Sequence, residues 1–331
     1  MHKLSNKVRL VIFLLLGVVI YFLSGAVDEL RVYQGATVAV YVVGIASIIL
    51  LTGYSGQVSL GQGAMLGVGG YAAALLRIHF SAPIWICFVI AILAAALAGV
   101  LLGLAAARLS GPYLAGTTLA FAVGLPSIAN QFAFLGGEQG LLFDVGFPPL
   151  SFGEDFTQYK WFFWIASLAA LIAIFWLQNV MRSRYGRSWK AVRGNDVAAE
   201  LAGINLTRNK TLAFTLSAGL AGLSGALLAM TIGTVSPSAF PLALSFSLLT
   251  GAVIAGVTTL GGVMIGAVTL VAIPEIAGAV ANRFGSSEAV TSNLPGLLVS
   301  TLLILTVLFV PNGPVEQMRA RREHRVNNKP S

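Results

Sequence analysis

No charged side chain lies between Arg31 and Arg77, and none between Lys210 and Glu275. Each run is far longer than the roughly 20 residues one membrane helix needs, so each predicts more than one crossing. In lipid the backbone must find its hydrogen bonds within the protein, which makes helices the expected element throughout. The rest of the sequence agrees: 57% of residues are hydrophobic and 10% charged, against about a quarter charged in soluble domains. The fold class is therefore an all-α polytopic membrane protein, read as a single transmembrane domain over residues 1–331.

Charge placement predicts topology. Lys3, Lys7 and Arg9 precede an apolar run from Leu10 to Val27. Ser24 and Ala26 would also suit a signal-peptide cleavage site, but immediate continuation into further apolar runs favours an uncleaved first span. Two crossings fit Val32 to Leu76, and single ones fit Ile84 to Ala107, Tyr113 to Phe134 and Trp161 to Gln178. The fifth of these spans should be interrupted near Pro126. Three crossings fit Thr211 to Ile232, Leu242 to Val257 and Leu260 to Ala281, and a last runs from Leu294 to Val310. The count is about ten at roughly 20 residues each, or about eight if Leu242 to Ala281 is re-entrant.

The segment from Arg182 to Lys210 is the long polar interior stretch. Its seven cations, Arg182, Arg184, Arg187, Lys190, Arg193, Arg208 and Lys210, face only Asp196 and Glu200. By the positive-inside rule it is a cytoplasmic loop. The tail at 311–331, with Arg319, Arg321, Arg322, Arg325 and Lys329, is cytoplasmic by the same rule. The acidic stretch from Leu135 to Lys160, with Glu138, Asp144, Glu154 and Asp155, is its external counterpart. A net charge of +8 does not point to nucleic acid, because the cations cluster beside apolar spans where topology accounts for them.

Within the cationic segment, Asn195 or Asp196 can cap a short helix through Ala202, and Gly203 can end it in the left-handed conformation. Ala198, Ala199 and Ala202 give it a small-residue face, with Leu201 and Ile204 as apolar anchors. Such a helix would either dock on a partner or lie on lipid headgroups. A second feature is TGYSGQVSLGQG, from Thr52 to Gly63. Gly53, Gly56, Gly61 and Gly63 weaken a continuous helix, while Ser55, Gln57, Ser59 and Gln62 carry polar groups that must be satisfied away from lipid. Ser59 and Gln62 have capping-box spacing, so a helix is expected to restart there. The break is a candidate lining for a translocation path.

Catalytic machinery is missing from the sequence. It has no Walker A loop, HExxH or G-x-S-x-G motif. Cys87 is the one cysteine, and His2, His79 and His324 are scattered, so neither a disulfide nor a metal site is expected. Ionisable groups inside the spans are nearly absent, Glu275 beside Pro274 being the main one. Ion-coupled carriers commonly need such groups. An energy source outside this chain is the simpler reading, with a stand-alone secondary carrier as the competitor.

Three segments together resemble the LivM-type permease subunits of branched-chain amino acid ABC importers. They are LLTGYSGQVSLGQGAMLGVGGYAAALL (Leu50 to Leu76), SGPYLAGTTLAFA (Ser110 to Ala122) and RYGRSWKAVRGNDVAAELAGINLTRNKTLAFTLSAGLAGLSGALLA (Arg184 to Ala229). The resemblance implies a type II importer-like half-pore in a bacterial inner membrane. It implies as partners a second homologous permease, a pair of cytoplasmic ATPases that use ATP and magnesium, and an external solute-binding protein. No cofactor is implied on this chain. Residues 182–210 resemble the family's coupling loop, with Ala198, Ala199 and Gly203 at the Ala-Ala-x-x-x-Gly positions and Arg193, Asp196 and Glu200 as polar contacts. Two departures, Glu138-Gln139 within GGEQGL and Gly116 after Tyr113, leave the solute open between branched-chain amino acids and urea or short-chain amides.

A topology reporter fused at Asn282 is expected on the external side; a cytoplasmic signal there rejects the ten-span arrangement.

Overall fold

The computed structural model describes residues 6–309 apart from 110, 147, 150, 151, 153–155, 257–259 and 284–287. The basic tail at 311–331, Glu154 and Asp155 fall outside the described residues. The described chain is a helical bundle. α1 (Asn6–Ala26), α2 (Glu29–Ile48), α3 (Gln62–Phe80), α4 (Ile84–Arg108), α5 (Pro112–Gln131) and α6 (Gln158–Arg182) come first. Two short helices follow, α7 (Arg184–Gly194) and α8 (Asp196–Leu201). α9 (Leu206–Ile232), α10 (Leu242–Ala255), α11 (Val263–Arg283) and α12 (Glu288–Phe309) complete it. A helix underlies each span expected from the sequence. Seven described stretches are long and apolar enough to cross a membrane, which makes the chain polytopic. The short α10, about 21 Å at 1.5 Å per residue, is among these together with the turn before it, as Pro237–Ala255, whereas α1, α3 and α12 are not among the seven.

α9 is the hub. Every residue from Ser217 to Thr231 is buried, and α2, α3 and α4 pack around it. Small side chains make this possible, because apolar side chains gain little by leaving lipid and helices must instead approach closely. At Gly225 an added Cβ would lie 1.8 Å from the Leu66 carbonyl oxygen, and at Gly69 one would lie 2.3 Å from the Gly222 Cα. The Gly99 and Gly103 pair of α4 meets α9 in the same way, over Ala218, Phe214 and Thr211. α4's opposite face carries exposed Leu93, Leu97, Leu101 and Leu104, as a lipid-facing surface should.

At the bundle end away from α7 and α8, β1 (Leu141–Leu142) pairs antiparallel with β2 (Thr234–Val235). The GGEQGL turn folds back to reach it. Gly136 and Gly140 adopt positive φ, and a Cβ on Gly140 would collide with the Val235 carbonyl at 2.3 Å. From β2 the chain descends through Pro237 and Phe240, whose ring lies over Gly67 and Gly70 of α3, before α10 begins.

Two local expectations fail. α5 continues through Pro126 to Gln131 instead of being interrupted there. Proline removes one helix hydrogen bond, and on this helix, packed mainly against α3 and the 237–239 turn, the loss does not end the helix. α3 does restart at Gln62, but its N-cap is Gly61 with no side-chain cap, so the Ser59–Gln62 capping box is not formed.

Gly225→Leu is expected to destabilise the α3–α9 contact by about 3 kcal/mol or more, whereas Gly278→Ala, with nothing within 4 Å of its Cβ position, should stay within about 0.5 kcal/mol. Thermal unfolding in detergent measures both.

Candidate functional site

The site grows from the failure of α2 to continue. After Ile48 the helix widens into a π-helical segment, Ile49–Tyr54, and the Ser55 and Gln57 N–H groups reach back to Leu50 and Leu51 carbonyls. Gly56 at φ +73° then turns the chain into an irregular stretch up to Gly61. At its inner end, freed backbone donors find their acceptors on other helices. The Thr118 hydroxyl of α5 accepts from Leu60 N–H at 3.0 Å, and the Ser245 hydroxyl of α10 accepts from Gly63 N–H at 2.8 Å. The Gln62 amide donates to Ser47 of α2 and Ser217 of α9, each at 2.8 Å, and Ser217 donates to the Ser47 carbonyl at 2.7 Å. Two hydroxyls at a helix crossing thus outcompete the local capping box for Gln62. The Ser59 hydroxyl accepts from Gly61 N–H at 3.3 Å.

The cationic segment folds onto this break. Gly186 allows the turn from α6, since its Cβ would stand 2.0 Å from the Met181 carbonyl. Ser183 caps α7, whose buried face is Gly186, Trp189 and Val192. The Trp189 indole N–H donates to the Asn209 carbonyl at 3.0 Å. Asn195 caps α8, accepting from Ala198 N–H at 3.0 Å, and Gly203 at φ +83° ends it. Clamping contacts join segment to break. The Arg193 guanidinium donates to the Gly53 carbonyl, the Lys190 ammonium lies 4.9 Å from the Tyr54 ring centroid, and a Cβ on Gly56 would meet Arg193 Cγ at 2.8 Å. Asp196 and Lys210 form an ion pair at 2.6 Å. The face is strongly cationic: the Arg184 guanidinium donates to the Tyr185 hydroxyl at 3.2 Å and holds that phenol below its ordinary pKa.

The structure sorts the candidate residues into distinct places. Arg193 and Asp196 are engaged within the chain, and Ala199 is buried. Ala198, Glu200 and Gly203 are exposed, next to Val197 and Leu201, which are 66% and 86% exposed. In the break, Gly53, Ser59 and Gln62 are buried, with Ser59 and Gln62 bonded as described above, while Ser55 and Gln57 border a cavity of about 390 Å³ shared with the α4–α5 turn, Arg193, Asp196 and Lys210. α7 itself was not expected. Its signals are Tyr185, Trp189 and Val192 at helical spacing after a capping serine.

The family described as "Branched-chain amino acid transport system / permease component" matches residues 32–308. This chain belongs to that permease family. Among its relatives is the high-affinity branched-chain amino acid transport system permease protein LivM of Salmonella typhimurium, 31% identical over 259 residues, which are 72% of this chain and 61% of the relative. LivM of Escherichia coli matches to the same extent. LivH of Salmonella typhimurium is 28% identical over 191 residues, 58% of this chain and 54% of LivH. The match thus spans 61% of the length of either LivM. No solved structure matches the chain. The permease family match covers both the break and the cationic segment, so the clamp between them lies within the shared region.

Gln62→Leu removes the donor shared by Ser47 and Ser217 and should destabilise the protein by about 1 kcal/mol, read as a shifted unfolding midpoint in denaturing detergent with helix content unchanged.

Proposed function

We propose that this chain is a membrane-spanning permease subunit of an ATP-driven importer for branched-chain or related hydrophobic amino acids. It works beside a second homologous permease, a pair of ATPase subunits that bind ATP and magnesium, and an external binding protein that delivers the solute. It crosses the bacterial inner membrane about ten times, at roughly 20 residues each, with both termini cytoplasmic. The observation that carries this reading is the Arg193 to Gly53 clamp. α7, which leads directly into the exposed α8, is hydrogen-bonded to an interrupted membrane helix, so force applied to the one reaches the other.

The outward surface of α8 suits a docking partner. Val197 and Leu201, one helical turn apart, project from a surface otherwise rich in cations and offer a partner's groove two apolar anchors beside a small-residue face. Ala198, Glu200 and Gly203 flank them. Arg193, bonded to Gly53, and Asp196, paired with Lys210, pass movement of α7 and α8 to the break and to the start of α9. The π segment and Gly53, Ser55, Gln57, Ser59 and Gln62 then serve as the joint where α2 and α3 change their relative tilt, with rigid-body movement on either side.

The break, with Gly53, Ser55, Gln57, Ser59 and Gln62, remains the candidate lining of the path, and the exposed face of α5 extends it, where Gly116, Thr117, Ala120, Ser127 and Gln131 interleave with Tyr113, Val123 and Ile128. Polar and small side chains facing outward in a membrane are expected against protein or water, not lipid. An open cavity of about 520 Å³ adjoins this face at the bundle end away from α8, with Asn130, Glu138 and Ser238 at its polar rim and Val123, Pro126 and Leu242 among its walls. Aliphatic walls with a polar rim fit an aliphatic amino acid better than urea. The secondary-carrier alternative is disfavoured by the near absence of ionisable side chains within the spans, where ion-coupled carriers commonly need them.

In the reconstituted complex, the double variant Val197→Glu and Leu201→Glu should insert normally yet lose about tenfold or more of ATP-dependent leucine uptake. Undiminished uptake would refute docking through α8. Uptake by the purified chain alone under an ion gradient would establish the carrier instead.

A further inference from the structure

The cavity of about 390 Å³ beside the break lies in the size range of small-molecule sites, about 300–1,000 Å³. Three elements that the sequence keeps far apart enclose it: the break, the turn between α4 and α5, and the junction of α7 with α8. Its walls are of two kinds. Val58, Leu109, Leu114 and Val192 make an aliphatic side, while Arg193, Asp196, Lys210 and Gln57 make a polar one.

The polar side is incompletely satisfied. Arg193 and Lys210 bring two positive charges against one negative charge from Asp196, so an added carboxylate would balance the group. Arg193 uses one guanidinium nitrogen on Gly53, which leaves further donors on the same fork. Gln57 is only 5% exposed; its amide nitrogen donates to the Ser55 hydroxyl and to the Lys210 carbonyl, and its Oε1 has no partner among the described residues. A buried carbonyl oxygen of this kind calls for a donor. A carboxylate for the cations, an ammonium group for the half-exposed Asp196 carboxylate, and an aliphatic side chain for Val58, Leu109 and Leu114 are together the description of a branched aliphatic α-amino acid. An inorganic anion meets the first need and neither of the others.

We infer that this cavity binds a free branched-chain amino acid from the cytoplasmic side and that occupancy slows transport. The inference rests on the importer reading, which supplies both the solute and the sidedness. Its physical basis is position: the cavity sits within the joint, with Arg193 on the α7 side and Gln57 on the break side, so a ligand touching both holds them at a fixed separation. Movement of the cationic segment relative to the break would then require its release. Accumulated solute thereby restrains its own import.

The test uses the whole complex in proteoliposomes, with ATP inside and the binding protein with labelled leucine outside. Initial uptake should fall to about a tenth when internal unlabelled leucine is ten times its dissociation constant for the site, while internal glutamate or phosphate should leave it unchanged. Leu109→Ser strips the aliphatic wall without filling the joint and should keep uptake into leucine-free vesicles while weakening the inhibition about tenfold; if that variant does not assemble, Ala115→Ser makes the same wall polar. Equilibrium binding of labelled leucine to the complex without the binding protein should show saturable binding that the substitution weakens to the same extent. Uptake indifferent to internal leucine, inhibition undiminished in the substituted complex, or no leucine bound to the complex would each overturn the inference and leave the importer reading standing. A complex that moves no aliphatic amino acid at all would overturn both.

Discussion

A helix that breaks inside a membrane exposes backbone donors that lipid cannot satisfy, and this structure is arranged around meeting that demand. Two of these backbone donors are answered by hydroxyls of other helices, Leu60 N–H by Thr118 on α5 and Gly63 N–H by Ser245 on α10, and the Gln62 side-chain amide adds a tie to Ser217 on α9. Each is a tie between elements distant in sequence. The same irregularity that would destabilise an isolated helix thus fastens α2, α3, α5, α9 and α10 at one level of the bundle.

Close approach is the second condition. Hydroxyl ties of 2.7 to 2.8 Å between helices need backbones nearer than leucine or phenylalanine would allow. The glycines and alanines of α9 provide that spacing. Ser224 shows the two effects together, donating to the Val40 carbonyl at 2.8 Å while sitting beside Gly44, whose Cβ position is 3.1 Å from its oxygen. Packing and polar satisfaction are therefore not separate contributions in this core.

The cationic segment is attached to this network by few but directional contacts. One arginine and one lysine over an aromatic ring hold α7 against the break, and one buried tryptophan ties it to the start of α9. α8 is anchored differently, through Ala199 inward and the Asp196–Lys210 pair at its start, so its far side is left free. A rigid short element fastened at a flexible joint transmits displacement better than a loop would. That mechanical property underlies the proposed role, and it is also why a ligand lodged at the joint would act as a brake.

Much was legible from residue order. Long uncharged runs specify membrane helices because no other element satisfies the backbone there, and clustered arginines mark the bundle end that α7 and α8 occupy. The α8 cap at Asn195 and its stop at Gly203 follow from local stereochemistry, which a sequence expresses directly, whereas α3 restarts at Gln62 without the capping box that pointed to it. The continuation of α5 through Pro126 and the diversion of Gln62 from Ser59 to Ser47 and Ser217 were not legible, because each depends on neighbours from other helices. So does the inward turn of Arg193 and Ala199. Sequence determined which groups would need partners; only the tertiary structure decided which partners they found, since hydrogen bonding in a waterless core is settled by what the packing brings within reach.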